Sequence, residues 1–388
     1  MNDHELHGLL TELADEFDVP GVAAGVWHLG KTSFACHGVT SIENPLPIDV
    51  HTLFQAGSIG KTFTATALLM LAETGRVGLD APVRRYVPEL HLADATAAAE
   101  VTLLQLLNHT AGWEGDFFAD TGEGDDALAR YVACLDELEQ RTPPGVAFSY
   151  NNAAFCLAGR VIESVTGEPY ERAIRRLILR PLGLRESFFF PNEIMTRRFV
   201  VGHKPSPDDA LQVARPWALP RNGAPAGGIV TSIVDLLAWA RFHSGDGRGA
   251  NGVRVLSESG LRAMRDPTVH MSGSAFGGEA HARETAGETR AERDVVGFVG
   301  EDHLPQDAAD FLLGAAPVLT RALLEPPLHV FVEVADDQLG HAHLQSDIMI
   351  SHLAAMSLCR GRPDHVAVAA RDDCALLQAL LVRSLLLR

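Results

Sequence analysis

The stretch Gln55-Ala56-Gly57-Ser58-Ile59-Gly60-Lys61-Thr62-Phe63 decides how the chain is read. It sets a serine and a lysine three residues apart, just ahead of Ala65, Ala67, Leu68, Leu69, Met70, Leu71 and Ala72, with Gly75 as a natural helix stop. Residues three apart share a helical face, so a helix beginning near Ser58 brings the Lys61 amine within reach of the Ser58 hydroxyl. Almost no charge precedes Glu73, and a helix apolar on every side is a buried one. Ser58 is then expected at the N-terminal end of a central helix, where free N–H groups and the positive end of the dipole favour a developing oxyanion. The competing reading makes Ser58 a helix cap and Lys61 a solvated first-turn residue.

Before this stretch, Leu6, Leu9, Leu10, Leu13 and Phe17 recur at helical spacing until Pro20-Gly21 breaks the pattern, which predicts an N-terminal helix. Residues 22–28 and 32–36 are β-prone runs joined around Leu29-Gly30-Lys31, an antiparallel hairpin expected to flank the Ser58 helix. After it, a helix over 101–107 ends near His109-Thr110-Ala111-Gly112. Acids and glycines from Asp116 to Asp126 then predict a surface loop, followed by an amphipathic helix over 126–138. Tyr150, in Phe148-Ser149-Tyr150-Asn151-Asn152-Ala153, stands at the entrance to a helix over 155–165, and Ala226-Gly227-Gly228 leads into another over 233–242.

With 388 residues, 46% of them hydrophobic, the chain can build one large or two medium domains around a real core. A net charge of −18 with no lysine-rich run argues against nucleic acid or an anionic membrane as partner. The polar, acidic N-terminus, the want of an apolar run of about 18 residues, and five scattered cysteines without a C-x-x-C are those expected of a cytoplasmic protein with reduced thiols.

Together these residues resemble the serine hydrolases related to class C β-lactamases, D-peptidases and family VIII carboxylesterases. Ser58-Ile59-Gly60-Lys61 matches their S-x-x-K, and Tyr150-Asn151-Asn152, 92 positions beyond the serine, matches their Y-x-N. Residues 75–80, Leu107-Asn108-His109-Thr110-Ala111-Gly112, Pro181-Leu182-Gly183-Leu184 and Ala226-Gly227-Gly228 resemble the family's punctuation, over about residues 18–276. The resemblance implies an α/β (α+β) fold of the β-lactamase/transpeptidase type. Its antiparallel sheet is flanked by helices and built from residues 1–80 plus 226–388, with a mostly helical domain, 81–225, inserted. It further implies that Ser58 forms an acyl-enzyme on a small carboxylic ester or amide. Lys61 would relay protons, Tyr150 would act as a base with its phenol pKa lowered by that ammonium, and Asn152 would hold Lys61 and substrate. No cofactor or metal is implied. The alternatives are a D-amino-acid peptidase, amidase or β-lactamase, and a catalytically silent member keeping the scaffold.

The family's third motif, K-T-G or H-x-G, is expected a few tens of positions beyond residue 276, on the strand that supplies the second oxyanion donor. No K-T-G occurs, and His243-Ser244-Gly245, an H-x-G, closes a helix in the wrong region. Residues 278–388 are atypical for the family, from a shifted reading frame or genuine divergence, and slow acylation with weak turnover is the expected consequence. His109 is read as structural, and His341-Ala342-His343 wants the third ligand of a metal site.

Overall fold

The computed structural model describes residues 2–269 other than 29, 208 and 209, together with the backbone of two strands, Val332–Val334 and His365–Ala369. Helix α1 (Asp3–Glu16) starts at a reciprocal cap in which the Asn2 side chain accepts from Glu5 N and the Glu5 carboxylate accepts from Asn2 N. Its apolar stripe, Leu6, Leu9, Leu10, Leu13 and Ala14, is buried.

Strands β1 (Gly21–His28) and β2 (Lys31–Gly38) form the expected hairpin, in register from Gly21 opposite Gly38 to His28 opposite Lys31. The other edge of β1 pairs antiparallel with both late strands, Val22 with Val334 and residues 23–27 with 365–369. The sheet is therefore built from both ends of the chain. Residues 21–26 are all buried, the continuous burial of a strand covered on both faces.

The hairpin does not flank the Ser58 helix directly. It packs on α1 and on the helix Ile233–Ser244, whereas α2 (Gly60–Glu73) packs mainly on the helices Asn152–Thr166 and Ala224–Gly227. An almost wholly apolar helix can be buried by helices as well as by a sheet, so its composition did not distinguish the two. A second sheet is three-stranded and antiparallel. Its central strand Val230–Ser232 pairs with β3 (Leu53–Gln55) on one side and Ser187–Phe188 on the other. Ala56 N donates to Ile229 O at 2.9 Å, tying the approach to Ser58 to the segment just after Gly228.

The helix expected over 126–138 is shorter, Ala127–Ala133, and continues as a 3₁₀ turn, Leu135–Glu137. Leu135 and Leu138 remain buried, so the apolar spacing survives the change of helix type. Asn151 caps the helix Asn152–Thr166 by accepting from Ala154 N at 2.7 Å, which starts it three residues earlier than its apolar spacing indicates. One buried apolar cluster runs from Ala23 to Leu261. Among the described residues no helix is long and apolar enough to cross a membrane.

Gly159 is where the helices Asn152–Thr166 and Ala224–Gly227 approach, since a Cβ there would stand 2.1 Å from Pro225 Cγ. Gly159→Ala is expected to lower stability by about 1–3 kcal/mol through overpacking, although alanine is the better helix former by about 1 kcal/mol. Thermal and urea midpoints check this, and an unchanged or raised midpoint would mean that the two helices do not meet there.

Candidate active site

Ser58 is the middle residue of a 3₁₀ turn, Gly57–Ile59, that runs directly into α2. N–H groups at the start of a helical segment lack intrahelical partners, so the turn presents donors where Ser58 sits. Gly57 has φ +51°, a left-handed conformation that a side chain would strain. Gly60 abuts Gly227, where a Cβ would come within 3.2 Å of the Gly227 Cα. These glycines let the segment 224–228 lie against the Ser58 turn.

That contact brings in a group the sequence does not announce. Lys61 Nζ donates to the Ala226 carbonyl at 2.8 Å, to Asn152 Oδ1 at 2.7 Å and to Ser58 Oγ at 3.1 Å. An ammonium has three donors and no acceptor, and all three are used. Lys61 is buried, at 5% exposure, so it is not the solvated first-turn residue of the competing reading. Burial, opposed by the nearby Asp116 carboxylate, lowers its pKa to about 7. Its Nζ also lies 4.8 Å from the centre of the Tyr150 ring and 5.6 Å from that of Phe155.

Tyr150 donates its phenol hydrogen to Ser58 Oγ at 2.7 Å, so Ser58 Oγ accepts from lysine and tyrosine together. The expectation of a lowered phenol pKa is overturned. Burial pushes the Tyr150 hydroxyl well above its ordinary value, Asp116 adds to the rise, and the bond to Ser58 offsets only part of it. The sequence places an ammonium beside the phenol; it does not show that the phenol is desolvated.

Asn152, buried, donates its Nδ2 to Asp116 Oδ1 at 2.9 Å. Asp116 opened the run read as a surface loop, yet it is half-buried and its pKa is raised by burial. Composition offered nothing to separate it from the solvated acids that follow. His109 is buried, with φ +61°, and stacks on Tyr150 at 4.6 Å between ring centres. Its Nδ1 accepts from Asn151 N at 2.9 Å, and burial, reinforced by Lys61, holds its pKa well below 6.5. It has the structural place expected of it, behind the phenol.

His243 is buried against Trp239, with its pKa lowered to about 3 by burial, so His243-Ser244-Gly245 is a packed helix end away from Ser58. Among the described residues no group of histidine, cysteine and carboxylate side chains is suited to hold a metal ion. The third motif, the second oxyanion donor and His341-Ala342-His343 fall outside the described residues.

A family model described as Beta-lactamase matches residues 6–287, and the chain belongs to that family of serine hydrolases. Penicillin-binding protein 4 of Amycolatopsis lactamdurans is 35% identical over 254 residues, covering 65% of this chain and 67% of that protein. Among solved structures, the class C β-lactamase from Rhodobacter sphaeroides is similar with a TM-score of 0.53 at 28% identity, covering 66% of this chain and 68% of that one. The D-amino acid amidase from Ochrobactrum anthropi SV3, solved with L-phenylalanine amide, is similar with a TM-score of 0.57 at 26% identity, covering 68% and 74%. The chain spans about half to two thirds of the length of the curated relatives it matches, from 50% to 67% in the first four.

His109 is expected to stay neutral, with its proton on Nε2, wherever Nδ1 accepts from Asn151. Nitrogen-detected NMR of the labelled protein between about pH 5.5 and 8 checks this against the ordinary imidazole pKa of about 6.5. A His109 resonance titrating at that ordinary value would contradict the buried, stacked geometry.

Proposed function

We propose that the protein cleaves small carboxylic esters or amides through an acyl-enzyme on Ser58, with Lys61 as the base. One observation carries this reading: Ser58 Oγ accepts from Lys61 Nζ at 3.1 Å and Tyr150 Oη at 2.7 Å, while Asn152 and Ala226 take the other two lysine hydrogens. Loss of one proton from this ammonium leaves two donors for Asn152 Oδ1 and Ala226 O and one lone pair facing the serine hydroxyl. A pKa near 7 makes that form abundant at neutral pH, where a raised phenol pKa leaves little tyrosinate to compete.

In this reading Ser58 Oγ attacks the substrate carbonyl carbon as its proton passes to Lys61, and the carbonyl π pair moves onto oxygen. The Ser58 N–H, at the start of a helical segment, would donate to that oxyanion. Collapse re-forms the carbonyl and expels the alcohol or amine, which takes the Tyr150 proton, and Lys61 returns a proton to the tyrosine. Water, activated through the same pair, then releases the acid. Asn152 holds Lys61 and one side of the substrate. The proposed division of the chain puts Ser58, Lys61 and Ala226 in the sheet part, 1–80 plus 226–388. Asp116, Tyr150 and Asn152 then belong to the mostly helical part, 81–225, so the site lies at the junction.

The substrate class is tested by assaying p-nitrophenyl esters, D-aminoacyl anilides and nitrocefin side by side, with Ser58→Ala as control. Turnover of one class, lost in Ser58→Ala, is expected; equal turnover in the control would contradict the serine mechanism. Because Lys61 acts in its neutral form, kcat/KM should rise with pH through about 7 and then level. A limb centred near the ordinary tyrosine value of about 10 would instead assign the base to Tyr150. Lys61→Ala should lower turnover by about 10²–10⁴-fold. Tyr150→Phe, which keeps the ring stacked on His109, should also slow leaving-group departure, more for amides than for activated esters; parallel rate measurements on the two check it.

A further inference from the structure

We propose that Asp116 is a positioning residue of the Ser58 site, locking the Asn152 amide with its oxygen towards Lys61 and supplying the negative charge that balances the buried lysine. The inference rests on the proposed role of Lys61. Lys61 only donates and a carboxylate only accepts, so an amide bridging them has one orientation that serves both, Oδ1 towards Nζ at 2.7 Å and Nδ2 towards Asp116 Oδ1 at 2.9 Å. The opposite orientation would set amide hydrogens against the ammonium and amide oxygen against the carboxylate.

The backbone around Asp116 is fastened to the head of the helix Asn152–Thr166. Trp113 O accepts from Asn151 Nδ2 at 2.9 Å, and Gly115 O accepts from both Asn152 N and Ala153 N at 3.1 Å. A Cβ at residue 115 would stand 2.2 Å from the Tyr150 carbonyl oxygen, so glycine is needed for this approach. Asp116 therefore reports to Asn152 through a rigid clamp rather than a mobile surface loop.

The charges around Lys61 are few. The Ser58 and Tyr150 hydroxyls and the neutral His109 lie on its serine side. The Cys156 thiol, pushed up to about 12 by burial and so uncharged at neutral pH, comes from the helix Asn152–Thr166, and the segment 224–227 contributes the Ala226 carbonyl. Among the described residues Asp116 is the carboxylate whose charge reaches Lys61, and Glu114, paired with Arg141, sits beside it. Removing the Asp116 charge should make the lysine easier to deprotonate; removing the acceptor as well should also loosen Asn152.

The chain has only three lysines, Lys31, Lys61 and Lys204, so [13Cε]lysine labelling gives a spectrum that Lys31→Arg and Lys204→Arg assign. Asp116→Asn keeps an acceptor for Asn152 without the charge, and is nearly isosteric; Asp116→Ala removes both. The Lys61 titration is expected about half a pH unit or more lower in Asp116→Asn than in the unsubstituted protein. In Asp116→Ala the single-turnover acylation constant should fall about tenfold or more, with KM changed less. An unchanged Lys61 titration in Asp116→Asn, or undiminished acylation in Asp116→Ala, overturns the proposal. The NMR titration needs no turnover, and fluorophosphonate labelling of Ser58 is run beside it. Failure of labelling with a shifted titration would sink the catalytic reading of Ser58 alone, and labelling with an unshifted titration would sink the role of Asp116 alone.

Discussion

The buried amine of Lys61 is the constraint on which the rest of the site depends. A cation taken out of water must be fully hydrogen-bonded or it discharges, and here both tendencies operate: three acceptors surround the ammonium, while burial brings its pKa down to about 7. The group is held firmly in one place and yet poised between charge states. Burying a lysine at this depth makes sense chemically if its proton is to move.

The three acceptors come from sequence neighbourhoods 3, 91 and 165 residues away from Lys61, so the cage exists only when the fold is complete. Glycine makes the distant contacts possible. Gly60 and Gly227 let two backbones nearly touch, which delivers the Ala226 carbonyl, and Gly115 lets the loop ahead of Asp116 lie against the backbone of Tyr150. The sheet formed by both ends of the chain and the helix Ile233–Ser244 behind it lie farther back and give the site its support.

Much of this was legible in the sequence, because S-x-x-K and Y-x-N carry their chemistry in residue identity and spacing. Ser58, Lys61, Tyr150 and Asn152 were named from those motifs, and the structure brings all four together. The hairpin, the helix behind Ser58 and the N-terminal helix were equally readable from apolar period and turn residues. Ala226 was not, since it contributes a carbonyl oxygen that any residue carries; only its place in Ala226-Gly227-Gly228 hinted at close packing. Asp116 was hidden among acids that do face water. The direction of the Tyr150 shift was misread because proximity to a cation is visible in a motif and desolvation is not. The hairpin was placed against the wrong helix for a similar reason: composition shows that a helix is buried but not by what.

The account stands on the claim that Ser58 Oγ surrenders its proton to Lys61 and takes the acyl group. Its most direct test is to quench the reaction with an activated ester at early times, on either side of pH 7, and map the acyl adduct by peptide mass spectrometry. The account predicts an adduct confined to the peptide containing Ser58, absent from Ser58→Ala, and formed faster above pH 7 than below it, as a lysine of pKa about 7 requires. An adduct on another residue, or one formed equally in Ser58→Ala, would contradict it.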